Sequence, residues 1–261
     1  MLTEKQIEDI SNDITLVSDL SDDNLVEFCK IANQRYRAGA PIITDENYDF
    51  IFISELATRL PNHPFLKQVE DELEGFSEEK IKLPEKMLST DKAYSWKEVE
   101  KWLERIAKFS DEILLSLSEV LIKGTAKLDG FAGYDDGNKL YTRGDGNKGS
   151  DISRVFERGL RIINDSDRGQ GPGEIVVKRS YFENHLSNHF EYPRNFQASL
   201  IKEKELDHFA KDAINAKAAL FVPFTQLPYW QGSIKEFKNN FSEIVVELEQ
   251  GVDFDIDGVV F

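Results

Sequence analysis

The stretch KLDGFAGYDDGNKLYTRGDGNKG, residues 127–149, decides how this chain folds. An apolar run at 120–122 leads towards Lys127, and a Gly/Asp turn at 135–137 then reverses the chain. A second short strand delivers Arg143 into a loop with three glycines, which predicts a hairpin of antiparallel strands. A Lys-x-Asp-Gly tetrapeptide alone is weak, because it also fits a strand that runs into a turn. An amine, a carboxylate and an arginine on a glycine-rich loop together favour attack by lysine on a phosphate ester.

The spacing of apolar residues changes near residue 120. Residues 1–76 show helical spacing, with Phe28 and Cys29 on the apolar side of one helix. A second helix is expected to begin after Thr44 as N-cap and to end before Pro61. This part of the chain is therefore predicted to be helical.

Downstream, Ser95 begins a capping box that opens an amphipathic helix, and short strands with turn residues follow. We expect strands at 120–134, 138–143, 174–182, 218–226 and 255–261, and helices near 152–162, 195–210 and 234–249. Hairpin-linked strands set apart from helices indicate an α+β fold with antiparallel sheets. The predicted organisation is a helical domain over 1–76 and an α+β domain over 77–261.

Composition limits the possible functions. The chain has 261 residues, 40 % hydrophobic and 31 % charged, as in globular proteins with a substantial core. Its net charge is −16, and residues 1–76 carry 16 acidic and six basic side chains, a net charge of −10. DNA binding draws heavily on Lys and Arg that neutralise phosphates. Alone, the chain is expected to grip DNA poorly, so it acts on a small ligand or another module supplies the grip.

The compartment is indicated by three features. No apolar run approaches the ~20 residues that span a bilayer, and the N-terminus lacks the basic and apolar regions of a signal peptide. The single cysteine, Cys29, excludes an internal disulfide framework and lies on an apolar helix side, as buried structural thiols do. These features predict a cytoplasmic protein without a membrane partner.

Other patterns point to different chemistry. The glycines of 144–149 match the dinucleotide-binding fingerprint, but the strand before them is polar and alternating, unlike a buried parallel strand. His185 and His189 have the spacing of metal ligands on one helix face, yet no third ligand or general base accompanies them, which favours a surface pair. The aromatic residues of 221–230 are typical of a core, although within a nucleotide site one ring could stack on a purine.

Six ordered blocks resemble the N-terminal part of bacterial-type NAD-dependent DNA ligases. In that family a helical NMN-binding domain precedes an adenylation domain, an ATP-grasp-like nucleotidyltransferase. Each block alone is modest, and their order over nearly the whole chain makes the resemblance specific. The blocks are APIITDENYD at 40–49, MLSTDKAYS at 87–95, KLDG at 127–130, TRGDGNKG at 142–149, PRN at 193–195 and DIDGVV at 255–260.

The resemblance implies an adenylation mechanism. Lys127 would attack the α-phosphate of NAD in line, form a lysine–AMP phosphoramidate and expel NMN. Neighbouring cations and Mg²⁺ would favour the loss of its proton, and the metal ligands stay open. Asp129 would hold the ribose or Lys127, and Arg143 would flank the nucleotide. Arg194 and Lys202 would offset negative charge.

The resemblance also implies an NMN site within residues 35–49, because ATP-dependent relatives lack the helical domain. Tyr48 would stack on the nicotinamide, and Asp45 and Asp49 would meet its positive charge from one helix side. The family has an aromatic pair before the first block, and this chain has Arg35 and Tyr36 there, so Tyr36 is also expected at the cofactor. The alternative is that these acids simply favour the helix dipole. The other positions expected at the cofactor are Ser89, Thr90, Thr125, Gly130 and Asp257.

The chain also departs from the family pattern. Thr125 stands where the family has a glutamate that reads the adenine amine, and Ser180 stands where the family's VRGE strand ends in a glutamate. Glu174 lies six residues earlier, ~20 Å along an extended strand, and is expected to be too far away to substitute. These changes keep open a non-catalytic NAD- or AMP-binding subunit, or an assembly subunit of a ligase.

The sequence stops in mid-strand at Phe261, one residue before the family's second essential lysine, and lacks the zinc-finger, helix-hairpin-helix and OB modules. It is expected to be a fragment of a larger ligase or one subunit of a split ligase, as in some phage enzymes. Nicked DNA would then be a partner only with additional C-terminal modules or a partner subunit.

Overall fold

The structure is a computed structural model that describes residues 2–37, 41–44, 47–66 and 80–261. None of the helices in these ranges is long and apolar enough to cross a membrane. The predicted domain boundary at residue 76 lies outside the described residues and stays a prediction.

The N-terminal part is helical and has its own core. Phe28, Cys29 and Phe52 are completely buried in it, and the Phe28 and Phe52 rings lie 4.6 Å apart. The predicted helix after Thr44 is confirmed: the Asn47 N–H donates to Thr44 Oγ1 at 3.2 Å. The helices are α1 (Glu4–Asn12), α2 (Asp22–Arg37) and α3 (Ser54–Arg59), with 3₁₀ turns at Ile14–Asp19 and Pro64–Leu66 and a π-helical turn at Tyr48–Ile53 that leads into α3.

The rest of the chain is built on antiparallel sheets, as predicted. Its strands are β1 (Ile81–Lys82), β2 (Leu121–Leu128), β3 (Phe131–Asp135), β4 (Leu140–Thr142), β5 (Lys148–Gly149), β6 (Arg161–Ile162), β7 (Gly171–Val177), β8 (Ala219–Pro223), β9 (Tyr229–Ser233) and β10 (Ile256–Val260). The larger sheet has the order β4-β3-β7-β8-β6, and the smaller ones are β10-β2-β9 and β1-β5. Within the described residues only β6 and β8 pair in parallel.

This topology excludes the dinucleotide-binding alternative. The glycine loop at 144–149 follows β4, which pairs antiparallel with β3, and it leads into β5 rather than into a helix. A buried parallel strand and a helix on the third glycine, both required by that fold, are replaced here by a hairpin.

Helices cover the larger sheet and flank the smaller one. They are α4 (Trp96–Glu112), α5 (Arg154–Glu157), α6 (Arg179–Tyr181), α7 (Pro193–Lys202), α8 (His208–Asn215) and α9 (Ile234–Gln250), with 3₁₀ turns at Leu117–Glu119, Ile163–Asp165 and Phe224–Gln226 and a π-helical turn at Phe182–Leu186. The capping box at Ser95 is confirmed, because its N–H donates to the Glu98 carboxylate at 3.1 Å.

Several element predictions were wrong in their extent. The strand expected over 120–134 is two strands, β2 and β3, and the strand expected over 218–226 ends at Pro223 in a 3₁₀ turn. The strand expected over 174–182 ends at Val177, because the Arg179 and Ser180 amides bond to Asp253 and turn the chain into a helix. The helix expected over 152–162 is one turn long. The helix expected over 195–210 is two helices, because Asp207 caps the second by accepting from the Ala210 N–H at 2.8 Å.

An aromatic cluster fills the space between the smaller sheet and α4 and α9. At its centre is Phe237, which is completely buried. The rings of all three tryptophans of the chain lie within 6.5 Å of its ring: Trp96, Trp102 and Trp230.

Replacing Phe237 with alanine is therefore expected to lower the free energy of unfolding by about 3–5 kcal/mol, since it removes a ring from a closed core. Urea unfolding followed by tryptophan fluorescence measures this loss at the cluster itself. Phe109→Ala is the matched control, because Phe109 is 61 % exposed. It should change the free energy by about 0.5 kcal/mol or less. Equal losses in the two variants would show that Phe237 is not a core residue.

Candidate active site

Lys127 lies near the end of β2, the central strand of the smaller sheet. Leu128 and Ala126 on either side of it are buried, so the alternation of the strand turns Lys127 to the opposite face. There its ammonium forms an ion pair with Asp257 of β10. The predicted nucleophile and a carboxylate from the last block are thus brought together.

A bulge in β10 places Asp257 and Val259 on opposite faces of the strand. Ile256 pairs with Leu128 and Val259 with Ala126, so three steps on β10 match two on β2. Gly258 lies within this bulge, and its φ of +132° favours glycine. Asp257 can therefore face Lys127 although Val259 packs on the aromatic cluster.

Asp129 lies at the centre of a second polar cluster. Its Oδ1 accepts from Arg194 Nη1 at 2.7 Å and from the Tyr36 hydroxyl at 3.1 Å. The guanidinium carbon of Arg194 lies 4.4 Å from the centroid of the Tyr36 ring, a cation–π contact. Asp129 directly follows β2, Arg194 belongs to α7 and Tyr36 to α2, so this cluster joins the helical part to the Lys-x-Asp-Gly turn. A cavity of about 180 Å³ opens beside it.

The backbone of this turn is fixed by its neighbours. The Asp129 N–H donates to the Asp255 carbonyl at 2.9 Å, and Gln197 Nε2 donates to the Asp129 carbonyl at 3.3 Å. A Cβ on Gly130 would lie 2.6 Å from the Ile175 carbonyl oxygen, so Gly130 is required by close packing on β7. The sequence prediction missed Gln197, whose only signal is a polar residue among apolar ones in α7.

The structure places Glu174 at the site, although its distance from Ser180 along the strand predicted that it is too far away to substitute for the family's glutamate. Ser180 is exposed and bonds to Asp253, whereas the Glu174 carboxyl points into the site. Burial, the largest effect, raises the pKa of Glu174 to about 8. The charges of Arg194 and Lys127 oppose this shift, and those of Asp129 and Asp257 add to it. The signal in the sequence is a lone acid in an otherwise apolar strand, GPGEIVV.

Arg143 connects the block at 142–149 to the block at 87–95 through hydrogen bonds. Its Nε donates to the Met87 carbonyl at 3.0 Å and its Nη2 to Ser89 Oγ at 2.7 Å. A Cβ on Gly144 would lie 1.8 Å from the Lys148 carbonyl oxygen, so the loop that carries Arg143 needs this glycine. Thr90, which follows Ser89, is exposed.

The residues predicted to bind NMN are partly engaged elsewhere. Asp49 accepts two contacts from Lys92 Nζ, at 2.6 and 2.7 Å, and the ring of its neighbour Phe50 meets that of Tyr94 at 4.9 Å. Burial raises the pKa of Tyr94, and the charge of Asp49 adds to the shift. Tyr48 packs on the helical core, with its hydroxyl 3.4 Å from the Cys29 carbonyl. Asp45 lies outside the described residues.

Two further predicted residues lie at the edges of the site. Thr125 stands on β2 two residues before Lys127 and pairs with Tyr229. Lys202 ends α7, eight residues and about 12 Å of helix rise from Arg194. The structure therefore brings Lys127, Asp129, Arg194, Asp257 and Glu174 together, and it places Lys202 at the far end of α7.

Two kinds of ligand chemistry follow from this set. Cations at Lys127 and Arg194 suit phosphate, and the buried Glu174 Oε2, which has no hydrogen-bond partner among the described residues, suits a hydroxyl donor. Within the same ranges no group of three His, Cys, Asp or Glu side chains is placed to hold a metal ion.

Comparison with known proteins agrees with the family resemblance seen in the sequence. Residues 76–222 match the family model of the NAD-dependent DNA ligase adenylation domain. The DNA ligase of Vesicomyosocius okutanii is 58 % identical over 261 residues, which are 100 % of this chain and 41 % of that protein. The DNA ligase of Ruthia magnifica is 58 % identical over 245 residues, 94 % of this chain and 40 % of its own length. That of Desulfotalea psychrophila is 49 % identical over 260 residues, 99 % and 38 %. The chain thus spans about 40 % of the length of these curated relatives.

The raised pKa of Glu174 predicts how stability changes with pH. In the unfolded chain this carboxyl ionises near its usual pKa of 4.5, whereas the folded protein keeps the proton up to about pH 8. The folded state binds more protons between these values, so the stability contributed by neutral Glu174 is lost as pH rises through them. Relative to Glu174→Gln, the wild type is expected to lose about 1–4 kcal/mol of unfolding free energy from pH 5 to 8.

Urea unfolding at pH 5, 6, 7 and 8 measures this difference. Glu243→Gln is the control, because Glu243 is exposed on α9, and its curve should run parallel to that of the wild type. A parallel curve for Glu174→Gln would show that Glu174 titrates normally.

Proposed function

This chain belongs to the family of NAD-dependent DNA ligase adenylation domains, and on that premise we propose that Lys127 takes up AMP from NAD. The observation that carries the proposal is the position of Lys127. Its amine lies on the open face of β2 in an ion pair with Asp257. Its charge acts on the buried Glu174 carboxyl, as do the charges of Arg194 and Asp129, which pair with each other. An amine next to a proton acceptor and to phosphate-binding cations is arranged for nucleophilic attack at phosphorus.

The proposed reaction is a substitution at the α-phosphorus of NAD, which is a substrate. The proton of the Lys127 ammonium passes to the Asp257 carboxylate, and the free amine attacks. A P–N bond forms to Lys127 while the P–O bond to the NMN phosphate breaks, and NMN leaves with the bonding electrons. The product is a lysine–AMP phosphoramidate. Because the protein supplies mainly position and charge, the fixed geometry around Lys127 is its main contribution.

Arg194 and Glu174 fit the nucleotide in complementary ways. Arg194 offers a guanidinium that is already oriented by Asp129 and Tyr36. Buried Glu174 Oε2 has no hydrogen-bond partner among the described residues, and a ribose hydroxyl would satisfy it. Glu174 rather than Ser180 would thus supply the glutamate of the family pattern. Of the two glutamates that the resemblance implied to be missing, only the one at Thr125 would then be absent.

Mg²⁺ fits the site as a partner of the substrate. The Asp257 and Asp129 carboxylates are the oxygen donors that this ion takes, and it is usually held by one or two carboxylates, waters and substrate phosphates. When bound, it would neutralise phosphate charge and favour the neutral amine. Asp257 would still orient Lys127 and receive its proton.

The NMN part of NAD would lie towards the helical segment. The proposed ligand for its positive ring is the Asp49 carboxylate, now paired with Lys92. Tyr48 would contribute the exposed part of its half-buried ring. In the whole protein, AMP on Lys127 would then pass to the 5′-phosphate of nicked DNA. We expect that step to draw on parts of the ligase other than the residues described here, since this chain spans about 40 % of the length of its curated relatives.

The proposal is tested by intact-mass measurement after incubation with Mg²⁺ and NAD, ATP or neither. The expected result is a gain of one AMP with NAD only. Lys127→Arg should show no gain, because arginine is not deprotonated in proteins. Lys123→Arg is the control, because Lys123 lies on the same strand over the Tyr229 ring, and it should gain AMP normally. A gain with ATP alone would overturn the choice of NAD, and binding of NAD without adduct would indicate a binding module.

The role of Asp49 is tested separately. Asp49→Ala is expected to slow AMP transfer from NAD about 10-fold or more, because the positive nicotinamide ring loses its counter-charge. It should not affect how long AMP stays on Lys127 once formed. Asp91→Ala is the control, since Asp91 is an exposed acid paired with Arg105. Unchanged rates in Asp49→Ala would show that the helical segment is only a scaffold.

A further inference from the structure

The Asp49 carboxylate, the proposed ligand of the nicotinamide ring, is already engaged by a cation of the protein itself. Lys92 Nζ lies 2.7 Å from Asp49 Oδ1 and 2.6 Å from Oδ2, so one ammonium contacts both oxygens. The two residues are 43 positions apart in sequence. Their contact joins the π-helical turn at Tyr48–Ile53 to the segment that leads into α4.

This ion pair lies near the reacting centre. Tyr94 follows Lys92 by two residues, and burial raises the pKa of its hydroxyl. The charge of Asp49 adds to this shift, and that of Asp257 adds to it more weakly. Because Asp257 is the partner of Lys127, one tyrosine is within electrostatic range of both carboxylates. Lys92 therefore stands close to the site from which NMN would leave.

One carboxylate cannot pair fully with two cations at the same time. The oxidised nicotinamide ring carries a positive charge, and so does the Lys92 ammonium. Since both oxygens of Asp49 contact Nζ, a ring placed against this carboxylate would also meet a like charge at short range. The ring gains the full counter-charge only when the ammonium moves away.

The two side chains of the pair differ in how easily they can move. The Lys92 side chain is 54 % exposed, whereas that of Asp49 is 23 % exposed. Lysine has a flexible stem and a strongly hydrated ammonium, so Lys92 can leave the pair for water. Ion pairs with such exposure contribute little to stability, so this movement costs little. Asp49 stays in place, because its turn packs on the helical core through Tyr48 and Phe52.

We propose that Lys92 competes with the nicotinamide ring for Asp49 and thereby sets the affinity for the NMN half of NAD. In the free protein the ammonium neutralises the carboxylate, and the positive ring displaces it on binding. After AMP transfer, the return of Lys92 to Asp49 favours the release of NMN. The inference rests on the proposed function, in which Asp49 meets the leaving group.

Lys92→Met tests the competition, because it removes the charge and keeps an unbranched side chain. The Kd for NMN, measured by calorimetry with the whole chain, should fall about two- to fivefold, the range expected for a partly exposed ion pair. Lys108→Met is the control, since Lys108 is an exposed lysine of α4, and it should leave the Kd unchanged. An unchanged or larger Kd in Lys92→Met would overturn the proposal.

Reduced NMN is the matched ligand, because its ring is neutral while its ribose and phosphate are the same. A neutral ring has no charge with which to displace the ammonium, so Lys92→Met should leave the Kd for reduced NMN unchanged. An equal gain in affinity for both ligands would overturn the competition, since it would show an effect of shape rather than of charge.

Asp49→Ala separates this inference from the proposed function. The double variant with Lys92→Met should bind NMN as weakly as Asp49→Ala alone, because Lys92 then has no carboxylate to block. If Asp49→Ala binds NMN as tightly as the wild type, the proposed role of Asp49 is wrong and the role of Lys92 with it. If Asp49→Ala weakens binding and Lys92→Met does not strengthen it, only the competition is wrong. These measurements need no adduct, so they stand whether or not Lys127 takes up AMP.

Discussion

The ion pair between Asp129 and Arg194 is the contact on which the arrangement of this molecule depends. Its partners are 65 residues apart, and the Nη1–Oδ1 distance is 2.7 Å with both side chains about four-fifths buried. Charges that are shielded from water are tolerated only when they are paired and hydrogen-bonded, so neither residue can move without a large cost. The start of α7, the end of β2 and the last turn of α2 are consequently held at one point.

The same requirement explains the mixture of charges around Lys127. The chain as a whole is strongly acidic, yet its cations Lys127 and Arg194 are placed beside Asp257, Asp129 and Glu174. Each cation has a carboxylate partner in the absence of ligand. Phosphate groups that enter this site therefore compete with carboxylates already in place, and affinity depends on which anion fits the fixed cations better.

The sequence predicted the parts of this protein that follow local rules. Capping at Ser95 and Thr44, hairpin turns and the nucleophile block all depend on neighbours within a few residues. The extent of β7 and the location of Glu174 could not be predicted in this way, because a strand ends where tertiary contacts such as those to Asp253 replace the ladder. Gln197 was missed for a similar reason, since its role depends on a turn 68 residues away. The family assignment rested on the order of blocks, which the fold does not alter, and was confirmed.

The bulge at Gly258 gives one strand two independent tasks. Side chains along a regular strand alternate between its two faces, so a shift that turns one residue to the other face turns all of them. In β10 the bulge interrupts that alternation, so Asp257 pairs with Lys127 while Val259 and Phe261 pack on the aromatic core. Core substitutions that shift the packing of Val259 or Phe261 can therefore occur without turning the Asp257 carboxylate away from the Lys127 amine. Because of the bulge at Gly258, the residue that pairs with Lys127 and the residues of the core can change independently during evolution.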